Sequence, residues 1–528
     1  MSTATPAYDS PQLLSDLARM LPAGALITDA AECRYFGQDA FWTGLPPLAV
    51  VAPTEQSQVC EVLRACAAAG VAVVPRGGGM SYTKGYVPSS PGVVTLDLRG
   101  LNRIVEIDAE NMIVTAEAGC TWMQVYEALK ARGLRTPYFG PMSGMRATVG
   151  GALSQNSMFY GSASYGTVAE SVLSLKVALA DGRTLVTGSR ANRGGIAFHR
   201  HFGPDLTGLF LSDAGALAVK LEASIRLIEW PQYETFGSFA FDDFASMLAA
   251  QAQIARRRIA AECFGLDPYL NGSRTMVKDL KTGVKTLADL ATGGRTLREG
   301  LANAASVALA GTGFMEGVRY SLHVVCEGET EAIARWRIEE TRRIALQTGR
   351  EIDATIPKVC RATPFKHPGE FLVGHEGERW VPIHACLPLS KGQAAYEATM
   401  KFFASKRETL ERYHIATSHL TGSAGTDLIF EPAFYYPDAM TEFHLRNLEP
   451  KDARNYADKP AVPGASEAVR GMLVELSQVF LELGAVHQQL GRFYPYTDSL
   501  DATTLELVCG IKSLVDPDRR MNPGSLGL

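Results

Sequence analysis

Apolar and polar positions alternate along this chain in short blocks. The first informative block is an apolar run at 48–53, too short for a helix, which predicts a strand. Thr54 stands where a helix N-cap belongs, and Val59, Val62, Leu63 and Cys66 recur at helical spacing until Gly70 ends the pattern. A second strand at 71–74 runs straight into Pro75-Arg-Gly-Gly-Gly-Met-Ser-Tyr82. The order is therefore strand, helix, strand, then a loop of three consecutive glycines. Strand character resumes at 93–98. Residues 103–108 and 112–116 alternate on either side of Ala109-Glu-Asn111, which predicts a hairpin, and 121–132 predicts an amphipathic helix closed by Gly133. From 137 to 165 Gly, Ser and Asn dominate without a period, which predicts a long structureless loop of functional kind. Two more strands, at 174–179 and 184–187, flank the turn Asp181-Gly182.

The pattern changes near Trp230-Pro231. Helical periods at 244–261, 329–348 and 393–413 then alternate with strand-like runs at 320–326, 381–387 and 427–432. That alternation predicts an antiparallel sheet covered by helices. A last helix at 505–515 leads into the turn-rich tail Asp516-Pro-Asp-Arg-Arg-Met-Asn-Pro-Gly524. A chain of 528 residues exceeds what one core usually supports. The expectation is an α+β protein divided at 1–230, 231–489 and 490–528, the last part returning to the first.

Charge and cysteine usage narrow the classes. A formal charge of −5 supplies no basic field for nucleic acid or an anionic membrane. No apolar run approaches the ~20 residues of a spanning helix, and MSTATPAYDSPQLLSDLARM lacks the basic-then-apolar order of a secretion signal. Nine scattered cysteines without a CxxC pair fit reduced thiols in a cytoplasmic protein, and the Asn271-Gly-Ser273 sequon reads as chance.

Consecutive glycines leave backbone N–H groups exposed, so Gly77-Gly-Gly79 after a strand can close on an anion. The GxGxxG spacing fails because Tyr82 occupies the third glycine's place, and a P-loop fails because Gly85 follows Lys84. A second glycine-rich stretch, Gly140-Pro-Met-Ser-Gly-Met-Arg-Ala-Thr-Val-Gly-Gly-Ala-Leu-Ser-Gln-Asn156, lies about seventy residues on. Two such loops separated by strands suit a dinucleotide better than a single phosphate.

The segments 75–82, 147–156 and 162–166, with Asp205-Leu-Thr-Gly-Leu-Phe-Leu-Ser-Asp-Ala-Gly-Ala216, resemble the FAD-binding domain of the vanillyl-alcohol oxidase / p-cresol methylhydroxylase (PCMH-type) superfamily. The tail from Val515-Asp-Pro to Met521-Asn-Pro-Gly-Ser-Leu526 resembles the C-terminal signature of its FAD-linked oxidases. The likeness covers about 45–230 and the last forty residues, and is weak between. It implies a two-subdomain FAD-binding domain plus a cap domain.

In such proteins the first loop wraps the FAD pyrophosphate, which implies Pro75, Arg76, Gly77, Gly78, Gly79, Met80, Ser81 and Tyr82 here. The second stretch lines the ribityl and flavin side through Pro141, Met142, Ser143, Thr148, Gly150, Gly151, Ser154 and Asn156. Tyr165-Gly166 lies near the isoalloxazine, and Asn522 joins from the tail. Many members attach FAD through a histidine in the first loop, where this chain has Met80. A cap histidine serves in others, but His384 sits a few residues past the aligned place. The acid that follows the Tyr-Gly pair in the aryl-alcohol branch is Thr167 here. These departures point to non-covalent FAD.

His487 falls at the cap-to-FAD-domain return, where related dehydrogenases keep an active-site histidine able to accept a hydroxyl proton. Arg492, Tyr494 and Tyr496 follow, and the resemblance implies stabilisation of a phenolate, with Tyr165 and His384 completing the catalytic candidates. The HxGDGNxH-like signature of metal-assisted 2-hydroxy-acid dehydrogenases is absent, and no other metal motif occurs. The leading expectation is an FAD-dependent oxidoreductase abstracting hydride from an alcohol or benzylic carbon of a phenolic or aromatic compound. Its electron acceptor would be oxygen, a quinone or a cytochrome, and dimers are common in similar proteins. The alternatives are a 2-hydroxy-acid (D-lactate-like) dehydrogenase and a transferase of the alkyl-glycerone-phosphate synthase kind that uses FAD without net redox.

Overall fold

The computed structural model describes residues 10–273, 315–365, 369, 372–374 and 376–528. The first nine residues of the amino-terminal stretch read above lie outside them. The expected strand–helix–strand unit forms as Ala49–Val51, Gln56–Ala68 and Val73–Arg76. Its helix is capped by Glu55 rather than Thr54, because the Gln58 side chain accepts from the backbone N–H of both Thr54 and Glu55. Val59, Val62, Leu63 and Cys66 are buried as the periodicity requires. These strands make a four-stranded sheet in the order Leu26–Ile27, Ala49–Val51, Val94–Asp97, Val73–Arg76, with the last three parallel. The C-terminal tail completes its edge: Val73 N–H donates to Arg520 O, and Asn522 N–H donates back to Val73 O.

A second, antiparallel sheet runs Ile104–Asp108, Ile113–Glu117, Val219–Arg226, Val172–Ala178, Thr184–Val186. The hairpin at its edge forms as expected. The stretch 137–165 is not structureless: it holds the helices Val149–Gln155 and Ser162–Tyr165. The first is short and carries two glycines, so it shows no apolar period. Thr148 caps it by accepting from Gly151 N–H, and a Cβ on Gly150 would come within 2.7 Å of Ala118 Cβ. Glycine is what lets this helix lie against the strand beside it.

Leu134–Arg135 and Ile228–Glu229 pair separately, while a third, antiparallel sheet runs Arg350–Ile352, Tyr233–Phe241, Tyr320–Gly328, Glu262–Leu266, Ala416–Ala424, Asp427–Tyr436, Arg379–Pro382. The helices Phe244–Arg257, Glu331–Ala345, Gly392–Ser405 and Ala465–Glu482 share its core, so the sheet covered by helices is present. The helix expected at 393–413 breaks at Lys406 into Gly392–Ser405 and Arg407–Arg412. The strand expected at 381–387 also breaks, into Arg379–Pro382 and Ala385–Pro388. Its register against Asp427–Tyr436 is the same on both sides, so His384 sits opposite Glu431. The ladder thins there because Pro432 has no N–H to return the bond that Ile383 N–H donates to Pro432 O, and His384 N–H, pointing away from that strand, donates to the Tyr494 hydroxyl. No helix among the described residues is long and apolar enough to cross a membrane.

Candidate active site

The triple-glycine loop leaves strand Val73–Arg76 held by its own first arginine. The buried Arg76 donates to Phe36 O at 3.1 Å and stacks over Phe36 and Tyr86 at 4.7 and 4.8 Å. The cation thereby pins the loop while still lining the cavity. No hydrogen bond among the described residues uses the backbone N–H of Gly77, Gly78, Gly79 or Met80. All four residues line a cavity of about 400 Å³. A row of unused donors on a cavity wall fits the pyrophosphate of a dinucleotide.

The second glycine-rich stretch lies directly across. A Cβ on Gly78 would stand 2.0 Å from Arg146 O, and one on Gly77 would stand 2.3 Å from the Thr148 hydroxyl. The hydroxyl can rotate away; the carbonyl cannot. Gly78→Ala is therefore expected to open the loop at a local cost of about 1–3 kcal/mol and to lower the FAD content of the purified protein, with Gly77→Ala affected less. The 450-nm-region absorbance per polypeptide checks this, and equal flavin content in both variants would speak against it.

Pro75 and Arg76 to Ser81 line the cavity, as do Pro141, Met142, Ser143, Thr148, Gly150, Gly151 and Ser154. Tyr82, Asn156, Tyr165, Gly166 and Asn522 do not line it. Tyr82 stands behind the wall, its hydroxyl accepting from Gln489 and its ring edge-on to Trp380. Asn156 ends the helix Val149–Gln155 in the left-handed conformation, and its Oδ1 is buried without a partner. Tyr165 and Gly166 close the next short helix. Asn522 ties the tail inward, donating to Gly85 O and Ala214 O.

The opposite wall is one face of the large sheet. Glu262, Cys263, Phe264 and Leu266 of one strand, Leu420 to Ser423 of the next, and Ile429 and Glu431 of the third all reach the cavity. Trp380, His384, Gln488, Gln489, Met158 and Phe159 are also among its lining residues. None of these except His384 stands out in the sequence. An apolar strand face reads the same in a sequence whether it meets a core or a ligand.

His384 is buried with both ring nitrogens engaged. Nε2 lies 2.8 Å from Gln488 O, to which it donates, so Nδ1 is the acceptor for the Tyr494 hydroxyl at 3.3 Å. Burial pushes its imidazole down to about 3. His487 does not reach the cavity. It donates through Nδ1 to His384 O at 2.7 Å and stacks on Tyr494 with centroids 3.9 Å apart. Burial pushes it down to about 4. Arg492 donates to Lys84 O, Pro523 O and the Asn522 carboxamide oxygen, and Tyr496 packs against the cluster around Ala214 and Leu526. The segment 484–496 thus holds the wall in place and presents only Gln488 and Gln489 to the cavity.

Residues 47–188 match the family model described as FAD binding domain. The glycolate oxidase subunit GlcD of Bacillus subtilis is 32% identical over 186 residues, 35% of this chain and 38% of that relative. The chain therefore spans well under half of that curated relative's length. The structure of p-cresol methylhydroxylase with substrate bound superposes with a TM-score of 0.73 at 16% identity, covering 100% of this chain and 98% of that one. Alkyldihydroxyacetonephosphate synthase follows at 0.67 and 15%, covering 98% and 86%. At such identities these two speak for the fold alone. Residues 47–188 thus match an FAD-binding domain, and the chain as a whole shares the fold of p-cresol methylhydroxylase, with a helix-covered antiparallel sheet facing that domain across the cavity.

Proposed function

We propose that this protein is an FAD-dependent oxidoreductase that takes hydride from an alcohol or benzylic carbon of an uncharged aromatic compound. FAD, when bound along the two glycine-rich stretches, supplies the hydride acceptor. The observation that carries the substrate class is the wall opposite them, where Phe264, Leu266, Ile429 and Trp380 stand with two carboxylates, Glu431 and Glu262. The cations among the described lining residues, Arg76 and Lys220, are engaged, Arg76 by rings and Phe36 O and Lys220 by buried Asp213 at 2.5 Å. A 2-hydroxy acid would bring its own carboxylate beside Glu431 and Glu262, where the nearby Arg361 is already shared by three acids, and desolvating it there without a free cation is costly. A neutral aromatic ring brings no charge to desolvate and can pack on Phe264, Leu266, Ile429 and Trp380.

Glu431 accepts the substrate hydroxyl proton as the C–H hydride leaves, so the alcohol carbon becomes a carbonyl and the charges balance. His384 is a poor base, since both nitrogens already serve the protein. Its role is to fix the strand that faces Glu431. The same geometry favours non-covalent FAD, because neither ring nitrogen is presented to the cavity. Acid precipitation is expected to leave a colourless pellet and a yellow supernatant; a yellow pellet would contradict the assignment.

Anaerobic titration of the holoprotein separates the substrate classes. A 4-hydroxybenzyl alcohol is expected to bleach the flavin and D-lactate and glycolate are not; bleaching by the hydroxy acids alone would overturn the proposal. Glu431→Gln is expected to slow that bleaching by about a hundredfold at unchanged flavin content. An unaltered rate would remove Glu431 from the chemistry.

A further inference from the structure

Far from even, the exposed large apolar side chains concentrate in one loop after the helical turn Gly188–Ala191. Ile196, Phe198, Phe202 and Leu206 are 54%, 59%, 55% and 40% exposed within eleven residues. This is not a frayed segment. Buried Ser189 gathers its ends: Ser189 N–H donates to His199 O at 2.7 Å, its hydroxyl donates to Ile196 O at 2.6 Å, and it accepts from Phe198 and His199 N–H at 3.0 Å. A compact loop stapled at its base holds apolar side chains outward, where water makes that arrangement unfavourable unless something covers them.

The charge of the loop says what does. Arg190, Arg193 and Arg200 stand against a single acid, Asp205, in a chain whose overall charge is −5. Asp205 is taken by Arg200 at 2.8 Å and Arg190 by Glu222 at 2.7 Å, which leaves Arg193 exposed beside the apolar tip. Phenylalanines flanked by a free arginine and two exposed histidines suit the headgroup boundary of an anionic bilayer, where rings enter the acyl edge and the cation meets phosphate. We propose that the loop 190–206 docks the protein reversibly on an anionic lipid surface. The proposal is independent of the substrate reading above.

Sedimentation of the purified holoprotein with vesicles tests it. Binding is expected to vesicles of phosphatidylcholine containing phosphatidylglycerol, to be much weaker with phosphatidylcholine alone, and to fall with added salt. Phe198→Ser with Phe202→Ser should lower the bound fraction roughly tenfold or more, and Arg193→Glu several-fold, at an unchanged thermal midpoint. No binding to either vesicle, binding indifferent to both variants, or a concentration-dependent dimer abolished by the double variant would each overturn it. The last result would assign the loop to a second copy of the chain.

Discussion

Replacing Arg361 by methionine is expected to destabilise the fold by about 3–5 kcal/mol. Its guanidinium is buried and forks to three carboxylates: Glu262 at 2.8 Å, Glu234 at 2.8 Å and Glu327 at 2.5 Å. Glu327 is shared with the equally buried Arg135, which grips it at 2.5 and 2.9 Å. Glu262 accepts in addition from Gly161 N–H at 2.7 Å. Methionine fills similar volume but leaves Glu262 buried with one donor and Glu234 without its cation. Burial already pushes the Glu262 carboxyl upward against the pull of Arg361, so the variant would take up a proton there. Arg135 and Gly161 lie in the FAD-binding half, and the three glutamates lie on strands of the large sheet. The loss should therefore loosen the junction beside the cavity as well as the fold. Urea unfolding gives the number, and Glu262→Gln added to Arg361→Met should restore part of it. A loss under about 1 kcal/mol would mean that protons or water replace the arginine without penalty.

That network explains why the sequence showed one half of the site and hid the other. The glycine loop announces itself because its chemistry is local: consecutive glycines, a preceding strand and unused N–H groups all lie within six residues. The helix Val149–Gln155 was missed because the glycines that let it approach Ala118 also erase its periodicity. Glu327 and Arg135 lie in unremarkable strands, and their partnership spans 192 residues, which no local pattern reports. His487 drew attention as a lone histidine at an expected place. Yet its position behind His384 follows from the bridge between Cys386 and Val486, a pairing that only the folded chain reveals. Glu431 was silent for the same reason: one acid in an alternating strand looks like the solvent side of a sheet.

Lowering the pH from 7 to 5 is expected to cost about 4 kcal/mol of stability, well before most surface carboxylates titrate. Burial holds His323, His384 and His444 down to about 3 and His487 to about 4. In the unfolded chain each would titrate near 6.5. Between those values the unfolded state binds a proton that the folded state refuses, so stability is intact above about pH 6.5 and falls by about 1.4 kcal/mol per pH unit per group as pH drops. Two buried acids oppose the trend. Burial raises Asp39 to about 6 and also raises Glu262, so protonating either favours the folded state. His419 and Asp267 lie 3.3 Å apart, one lowered and the other raised by burial, and largely cancel. Four imidazoles against two carboxyls leave a net loss on acidification. Urea midpoints at pH 7 and pH 5 measure it. His323→Gln isolates one contributor, because the glutamine can still meet Ser238 and Ser321, which contact the ring at 2.9 and 2.8 Å. That variant should flatten the dependence by about 1.4 kcal/mol per pH unit. A wild-type protein as stable at pH 5 as at pH 7 would show that the buried imidazoles acquire protons without unfolding.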